Sequence, residues 1–368
     1  MRHTRVSHET ELQALQPRWD ELAAAGFRSS PFLLHDWLTT WWRHFGHRSR
    51  LAVHLAWRGE DLVGALPLFE ATWAGVRVAR FVGAPDSTLA DVLVDQQAGE
   101  EVARTLVQAA LGAHGLLDLF AIAPESWLSR VVAPQAVVPR TEAPTLKLDG
   151  GWEATYERKT SSRRRALYRR RWRQLETEGE PSVRLERAGA SFDSALEDAF
   201  RLHAMRWRGR GDVSTFGDER GWHFHRDALG ALSRRGFTRL VVLELSGRPI
   251  AFTLYFAFGG RMFIYRLAFD PDYARFSPGI LTTLEAIRLA ADEGLSTVEF
   301  LRGSERYKIE LADRVDVLGE VVLDGGSLVG RAAGTLLASR TRLRRWLSAH
   351  RRSVRESVQT HTRRAASQ

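Results

Sequence analysis

The chain has no cysteine among its 368 residues. Disulfides, thiolate zinc sites and a thiol nucleophile are thereby excluded, which fits a reducing compartment. Long apolar runs are missing too. None approaches the ~20 residues that a membrane-spanning helix needs. The opening stretch MRHTRVSHETELQAL has no apolar core of the kind a secretory signal requires. Several chemical motifs are absent: there is no Gly-x-x-x-x-Gly-Lys-[Ser/Thr] phosphate loop, no His-Glu-x-x-His and no Gly-x-Ser-x-Gly elbow. His223 and His225, two apart, have no carboxylate pattern beside them. The expectation is a cytoplasmic protein with no integral membrane segment, no metal and no covalent nucleophile.

Negative charge is scarce at one end only. The net charge is +9. Residues 340–368 hold nine Arg and one Glu, so the rest of the chain is close to neutral. A basic tail, not a basic body, sets the balance, and nucleic acid is not an expected partner of the folded part. The tail carries Leu336, Leu337, Leu343, Trp346 and Leu347 among its arginines. It reads as a basic helix, then a disordered end, suited to peripheral attachment at the inner face of the membrane.

What is present is a repeat. Leu51–Trp57, a turn at Gly59, and Leu62–Phe69 match Leu240–Leu245, a turn at Gly247, and Ile250–Phe258. Both read as β-hairpins. A helix from about Gly99 to His114 carries Val102, Leu106 and Ala110 on one face, ends at Gly115 and feeds a strand, Leu116–Ile122. The second half repeats this over residues 279–301, with Leu281, Leu284, Ile287 and Ala291 on the helix and Gly294 at its end. The spacing predicts two tandem α/β domains, 1–150 and 151–325, and a tail, 326–368. Residues 123–150, rich in Pro and Ala, read as the connector.

The halves differ where a helix begins. In the second, Arg275, Ser277, Pro278 and Gly279 stand before it. Ser277 is the expected N-cap and Pro278 the first helical residue. The N–H groups of Gly279, Ile280 and Leu281 would then face an anion, and Gly279 would let a phosphate approach the backbone. In the first half the matching loop, Asp95 to Glu101, is acidic and would repel a pyrophosphate.

This order of parts resembles the GNAT acetyltransferase core. More narrowly, the chain is similar to CelD/BcsL-type acetyltransferases, named for cellulose biosynthesis and related to the FemAB transferases. The residues that carry the likeness are Phe32, Trp37, Trp41 and Phe45; Gly64 to Leu68; the run Arg163–Arg173; His203, Arg206 and Trp207; Ser277-Pro278-Gly279; and Gly303 to Lys308. The spacing of Pro278 and Gly279 after Arg275 departs from the usual glycine pattern of the GNAT phosphate loop. The resemblance implies mixed α/β sheets in tandem GNAT-like domains, the first not binding CoA. It implies acetyl-CoA or another acyl-CoA as donor and a small-molecule or glycan acceptor, in cell-envelope or exopolysaccharide chemistry. It places Leu267, Ala268 and Phe269 beside the pantetheine arm, and Arg275, Ser277, Gly279 and Ile280 at the pyrophosphate. Tyr307 matches the tyrosine that protonates the leaving thiolate.

Other roles follow from residue chemistry. Glu305 or His203 could deprotonate the acceptor, and Lys308 could bind a phosphate or steady an oxyanion. Each has a structural reading beside it: a charged helix start for Glu305, Tyr307 and Lys308, and a packed helix face for His203 and Trp207. Trp37, Trp41, Trp42 and Phe45 read as a buried helix face. Residues 158–173 hold nine Lys and Arg and no acid, which fits an anionic partner as well as a solvated face. That run supports one alternative, a FemAB-like aminoacyl-tRNA-dependent transferase. A non-catalytic GNAT-fold binding protein is the other.

Overall fold

Both hairpins and both helix–strand units form where the periodicity places them. The computed structural model describes residues 1–25, 30–73, 75–207, 215–328 and 330–340. The first half runs β1 (Arg2–Val6), α1 (Glu9–Gln13), α2 (Gln16–Ala25), α3 (His35–Phe45), β2 (Arg50–Arg58), β3 (Asp61–Trp73), β4 (Val76–Phe81), β5 (Leu93–Val94), α4 (Gly99–His114), β6 (Leu116–Ile122), α5 (Trp127–Val131) and β7 (Val137–Lys147). The second runs α6 (Gly151–Lys159), α7 (Ser162–Glu176), β8 (Pro181–Glu186), α8 (Gly189–Trp207), α9 (Glu219–Arg234), β9 (Thr238–Leu245), β10 (Arg248–Phe258), β11 (Arg261–Phe269), α10 (Pro278–Asp292), β12 (Thr297–Glu299), α11 (Arg306–Leu311) and β13 (Arg314–Asp324).

The strands join in one 13-stranded mixed sheet, in the order β1-β2-β3-β4-β6-β13-β7-β12-β11-β10-β9-β8, with β5 on β3. The order shows how the halves are joined. β13, last in sequence, pairs with β6 of the first half, and β7 lies between β13 and β12. The stretch 123–150 is therefore no mere connector. It contains an 11-residue strand at the centre of the sheet. Pro139 and Pro144 disguise it, since proline is rare in central strands. Pro139 is tolerated where the register against β13 shifts, beside Gly319.

Helices cover both faces. Trp37 and Trp41 of α3 are buried, with Phe45 and Trp42 packed against the same core, so the aromatic stripe is core. That core also takes Phe192, Leu196 and Ala199 of α8, Phe224 and Leu229 of α9, and Phe252, Phe256 and Phe263 of the sheet. On the other face, Leu284 and Ile287 of α10 pack with Leu146, Met262, Ile264, Val298 and Leu311. α4 ends at Gly115, whose φ of 72° suits glycine and whose N–H reaches the Leu111 carbonyl at 2.8 Å. Residues 330–340 are helical, and Ala333 and Leu337 pack onto Val78 and Leu116. The rest of the basic tail, with Leu343, Trp346 and Leu347, lies outside the described residues. None of the described helices is long and apolar enough to cross a membrane.

Candidate active site

A wedge opens between β11 and β12. The two run parallel and pair only at Arg261–Thr297, Met262–Val298 and Phe263–Glu299. Beyond Phe263, β11 keeps its partner on the β10 side, where Leu267, Ala268 and Phe269 face Thr253, Phe252 and Ala251. After Glu299 the chain turns away toward β7. The Phe300 N–H donates to the Pro144 carbonyl at 3.0 Å and that of Gly303 to Glu142 at 2.9 Å. Leu301 takes a φ of +56° at this bend. The edge of β11 from Ile264 to Phe269 is left without a strand on that side. Leu267, Ala268 and Phe269 lie along it.

α10 starts beside the wedge, but its first turn differs from the expectation. Ser277 is not a side-chain cap. It adopts φ 57°, ψ 44°, and its side chain makes no capping bond. The 3₁₀ turn Pro271–Phe276, capped by the Asp270 carboxylate, delivers the chain into α10 through this left-handed residue. The N–H groups of Ile280 and Leu281 are not free, because both donate to the Ser277 carbonyl, at 3.0 and 3.2 Å. Gly279 makes room for a side chain: a Cβ there would lie 2.9 Å from Phe269 Cδ1. Arg275 is exposed, donates to Glu178 Oε1 at 2.9 Å and lies over the Phe276 ring.

Tyr307 on α11 comes to the same place. It lines a small cleft with Ile280, Thr283 and Leu284 of α10, Arg164 and Tyr168 of α7, and Leu311. Leu267, Ile280 and Tyr307 share one apolar cluster. Burial first, and the Glu305 carboxylate second, push the Tyr307 phenol above its ordinary value, so it keeps its proton at neutral pH. Lys308 is buried and engaged. Its Nζ donates to the Arg302 carbonyl at 3.0 Å and pairs with Glu305 Oε2 at 2.9 Å, closing the turn over Gly303. The Glu305 side chain is 57% exposed.

His203 sits on α8, on the opposite face of the sheet, with its Nδ1 buried and without a partner. Burial and the Arg266 charge lower it to about 4, so the ring is neutral at pH 7. Arg206 stacks over Phe269, 4.3 Å from the ring centroid to its guanidinium carbon, and Trp207 is 37% exposed.

A second group of polar residues gathers near the wedge. β11 has a bulge: Leu254 pairs with Arg266 and Tyr255 with Ile264, so Tyr265 is the extra residue. Arg266 lies over the Tyr265 ring at 3.9 Å and leaves its Nε buried without a partner. Buried Asp86 accepts from Trp41 Nε1 at 3.1 Å and from Thr215. Arg302 donates to the Pro85 carbonyl at 3.1 Å. Sequence reasoning missed Asp86, Tyr265, Arg266 and Arg302. One signal was available, since Arg266 is the only charge in the apolar run Met262–Phe269.

Among the basic residues of 158–173, Arg158 and Lys159 pair with Asp313 and Arg164 with Glu310. Arg163, Arg169, Arg170 and Arg173 are exposed on α7. Among the described residues, no cluster of three or more His, Asp or Glu could hold a metal ion.

A mixed sheet whose parallel strands part beside a helix start is the GNAT arrangement, and the first half repeats the order of hairpin, helix and strand. The family model described as an acetyltransferase (GNAT) domain matches residues 162–309. Among solved structures, the chain is similar to FemX, with a TM-score of 0.63 at 9% identity over 92% of this chain and 100% of that one. It is similar to L-PGS from Bacillus licheniformis, with a TM-score of 0.53 at 13% identity over 92% and 98%. A third is the C-terminal domain of a putative lysylphosphatidylglycerol synthetase from Agrobacterium fabrum, with a TM-score of 0.54 at 11% identity over 89% and 95%. At these identities the likeness is one of fold. No curated protein matches the sequence.

Proposed function

We propose that this protein is an acyl-CoA-dependent acyltransferase acting on an amine or hydroxyl acceptor. The observation that carries it is the wedge: β11 loses its β12 partner after Phe263, which leaves backbone groups free to bind an amide-rich arm beside the start of α10. The match of residues 162–309 to a GNAT acetyltransferase domain supports transfer chemistry. The acceptor nitrogen or oxygen attacks the thioester carbonyl carbon, the new C–N or C–O bond forms, and the C–S bond breaks. Tyr307 gives its proton to the departing thiolate, and the proton lost by the acceptor passes to His203 or Glu305. Binding both substrates at the wedge supplies proximity, and the proton donor supplies the rest. Arg275, exposed just before α10, holds the donor's phosphates. The assignment of the acceptor to cell-envelope or exopolysaccharide chemistry rests on the resemblance to CelD/BcsL proteins.

Thermal unfolding with acetyl-CoA, longer acyl-CoAs and CoA tests this. A donor at about 100 times its Kd stabilises by about 2.7 kcal/mol, several degrees for a protein of this size. No shift with any of them overturns the acyl-CoA reading. A second reading, transfer from aminoacyl-tRNA, is favoured by exposed Arg163, Arg169, Arg170 and Arg173 on α7. It requires tRNA binding that weakens steeply with salt.

A further inference from the structure

Arg266 and Arg302 occupy matching steps on the two walls of the wedge. The last paired residues are Phe263 on β11 and Glu299 on β12, and each arginine lies three residues further along its chain. Neither makes an ion pair with a described residue, whereas many other arginines of the chain do. Arg140 pairs with Glu320 at 2.5 Å, Arg184 with Glu244 at 2.7 Å and Arg239 with Glu293 at 3.0 Å. The nearby carboxylate is Asp86, and it is held by Trp41 and Thr215. Among the described residues, two guanidinium groups thus meet one engaged carboxylate in a largely buried setting. Burial first, and the Arg266 charge second, lower Arg302 to about 10, against a smaller opposing pull from Tyr265 and Asp86. The hydrogen bonds they do make leave capacity spare. Arg302 gives one to Pro85 O, Arg266 gives one to its neighbour's carbonyl, and Arg266 Nε has none. Isolated buried charge is costly, so a site like this is completed by a counter-ion.

Space for one is present beside Arg302, in a cavity that Arg266 borders but does not line among the described residues. Arg302 lines a cavity of about 290 Å³ with Gly303, Arg140, Thr141, Phe120 and Leu318. The positive φ of Gly303, 120°, lets the chain bend away from β11 at this point, and Ala121 across the cavity bends likewise with a φ of 63°. The cavity lies where β6 and β7 of the first half meet the end of β12, so both halves contribute to it.

We infer that Arg266 and Arg302 bind an oxyanion, a carboxylate or a phosphate, carried by the acceptor substrate, and so orient its nucleophile at the wedge. The inference rests on the acyltransferase reading above for the word acceptor, but the anion site stands on its own residues. Planar guanidinium groups on two sides fit either oxyanion by charge-assisted hydrogen bonds.

The test uses the full chain with two probes, inorganic phosphate and succinate, titrated calorimetrically at constant ionic strength against chloride. The wild type is expected to bind one probe, and the preferred one tells a phosphate-bearing from a carboxylate-bearing acceptor. Arg302→Gln and Arg266→Gln are each expected to weaken that binding about tenfold or more. Arg58→Gln, at the exposed end of β2, is expected to leave it unchanged. Equal binding by the wild type and both wedge variants overturns the inference, because the anions then bind elsewhere. Absence of binding by the wild type overturns it too. Should Arg302→Gln fail to fold, Arg266→Gln carries the comparison. Acetyl-CoA is measured in parallel by thermal shift. A donor shift without anion binding removes only this inference; anion binding without a donor shift removes only the acyl-CoA reading.

Discussion

The Tyr265 hydroxyl donates to His225 Nε2 at 2.7 Å, deep beneath the β11 bulge. His225 Nδ1 donates to the Gly221 carbonyl at 2.6 Å, and burial keeps the imidazole neutral. The carbonyl can only accept, so Nδ1 holds the proton and Nε2 must accept. Tyr265→Phe therefore strands a buried acceptor. We expect a loss of about 1–3 kcal/mol in urea unfolding. Replacing both residues with phenylalanine should cost less than the sum of the single changes, and strict additivity would show that the bond contributes nothing.

Acid should destabilise the fold in a defined window. His203 is lowered to about 4 and His54 to about 3, each mainly by burial, against 6.5 in the unfolded chain. Below pH 6.5 the unfolded state takes up protons that the folded rings refuse. Stability contributed by neutral His203 is thus full above pH 6.5 and is lost as pH falls toward 4. The loss is about 1.4 kcal/mol per pH unit, about 3 kcal/mol over the window. Unfolding at pH 7 and pH 5 measures the slope, and His203→Gln should flatten it. An unchanged slope in that variant would mean that His203 is solvated.

Gly279→Ala should destabilise although the residue is helical, where alanine usually gains. Its Cβ would sit 2.9 Å from Phe269 Cδ1, inside a packed contact. We expect a cost of about 1–3 kcal/mol from overpacking. A stabilised variant would show that Phe269 moves freely and that Gly279 serves ligand approach instead.

Lys308→Met separates a clasp from a ligand contact. Nζ holds the Arg302 carbonyl and Glu305 together, so its loss should lower stability by about 1.5–3 kcal/mol. Unaltered stability with a raised KM for the donor would assign Lys308 to phosphate binding.

Much of this architecture is readable from local pattern. Gly59 and Gly247 mark the hairpins, Gly115 and Gly294 stop the helices, and the α4 and α10 faces follow the 3.6-residue period. Local rules fail where distant chain decides. Val137–Lys147 becomes a central strand because β12 and β13 flank it, and its prolines argue against that from sequence alone. The same holds for the polar group at the wedge. Asp86 is in a loop of the first half and Arg266 on a strand of the second. Only the bulge at Tyr265 turns Arg266 toward the first half, and a bulge has no sequence signature in an apolar run. The place of Tyr307, just past a core strand, follows from the local pattern of that strand, whereas its role comes from the family resemblance alone.

The sharpest test of the chemistry is Tyr307→Phe. The phenol is held protonated by burial and by Glu305, and it lies in the cleft formed by Ile280, Thr283 and Leu284 at the start of α10. As the donor to the leaving thiolate, it should be worth about 10²–10⁴-fold in kcat, with KM for the donor little changed. The hydroxyl has no hydrogen-bond partner to lose among the described residues, so stability should stay within about 0.5 kcal/mol of the parent. The variant should regain rate with a donor whose thiol leaves without help, such as a thioester of an acidic thiol. An unchanged kcat with acetyl-CoA would assign Tyr307 to packing and move the proton donor to a bound water. A low kcat that the better leaving group does not rescue would instead show that the phenol positions the substrate.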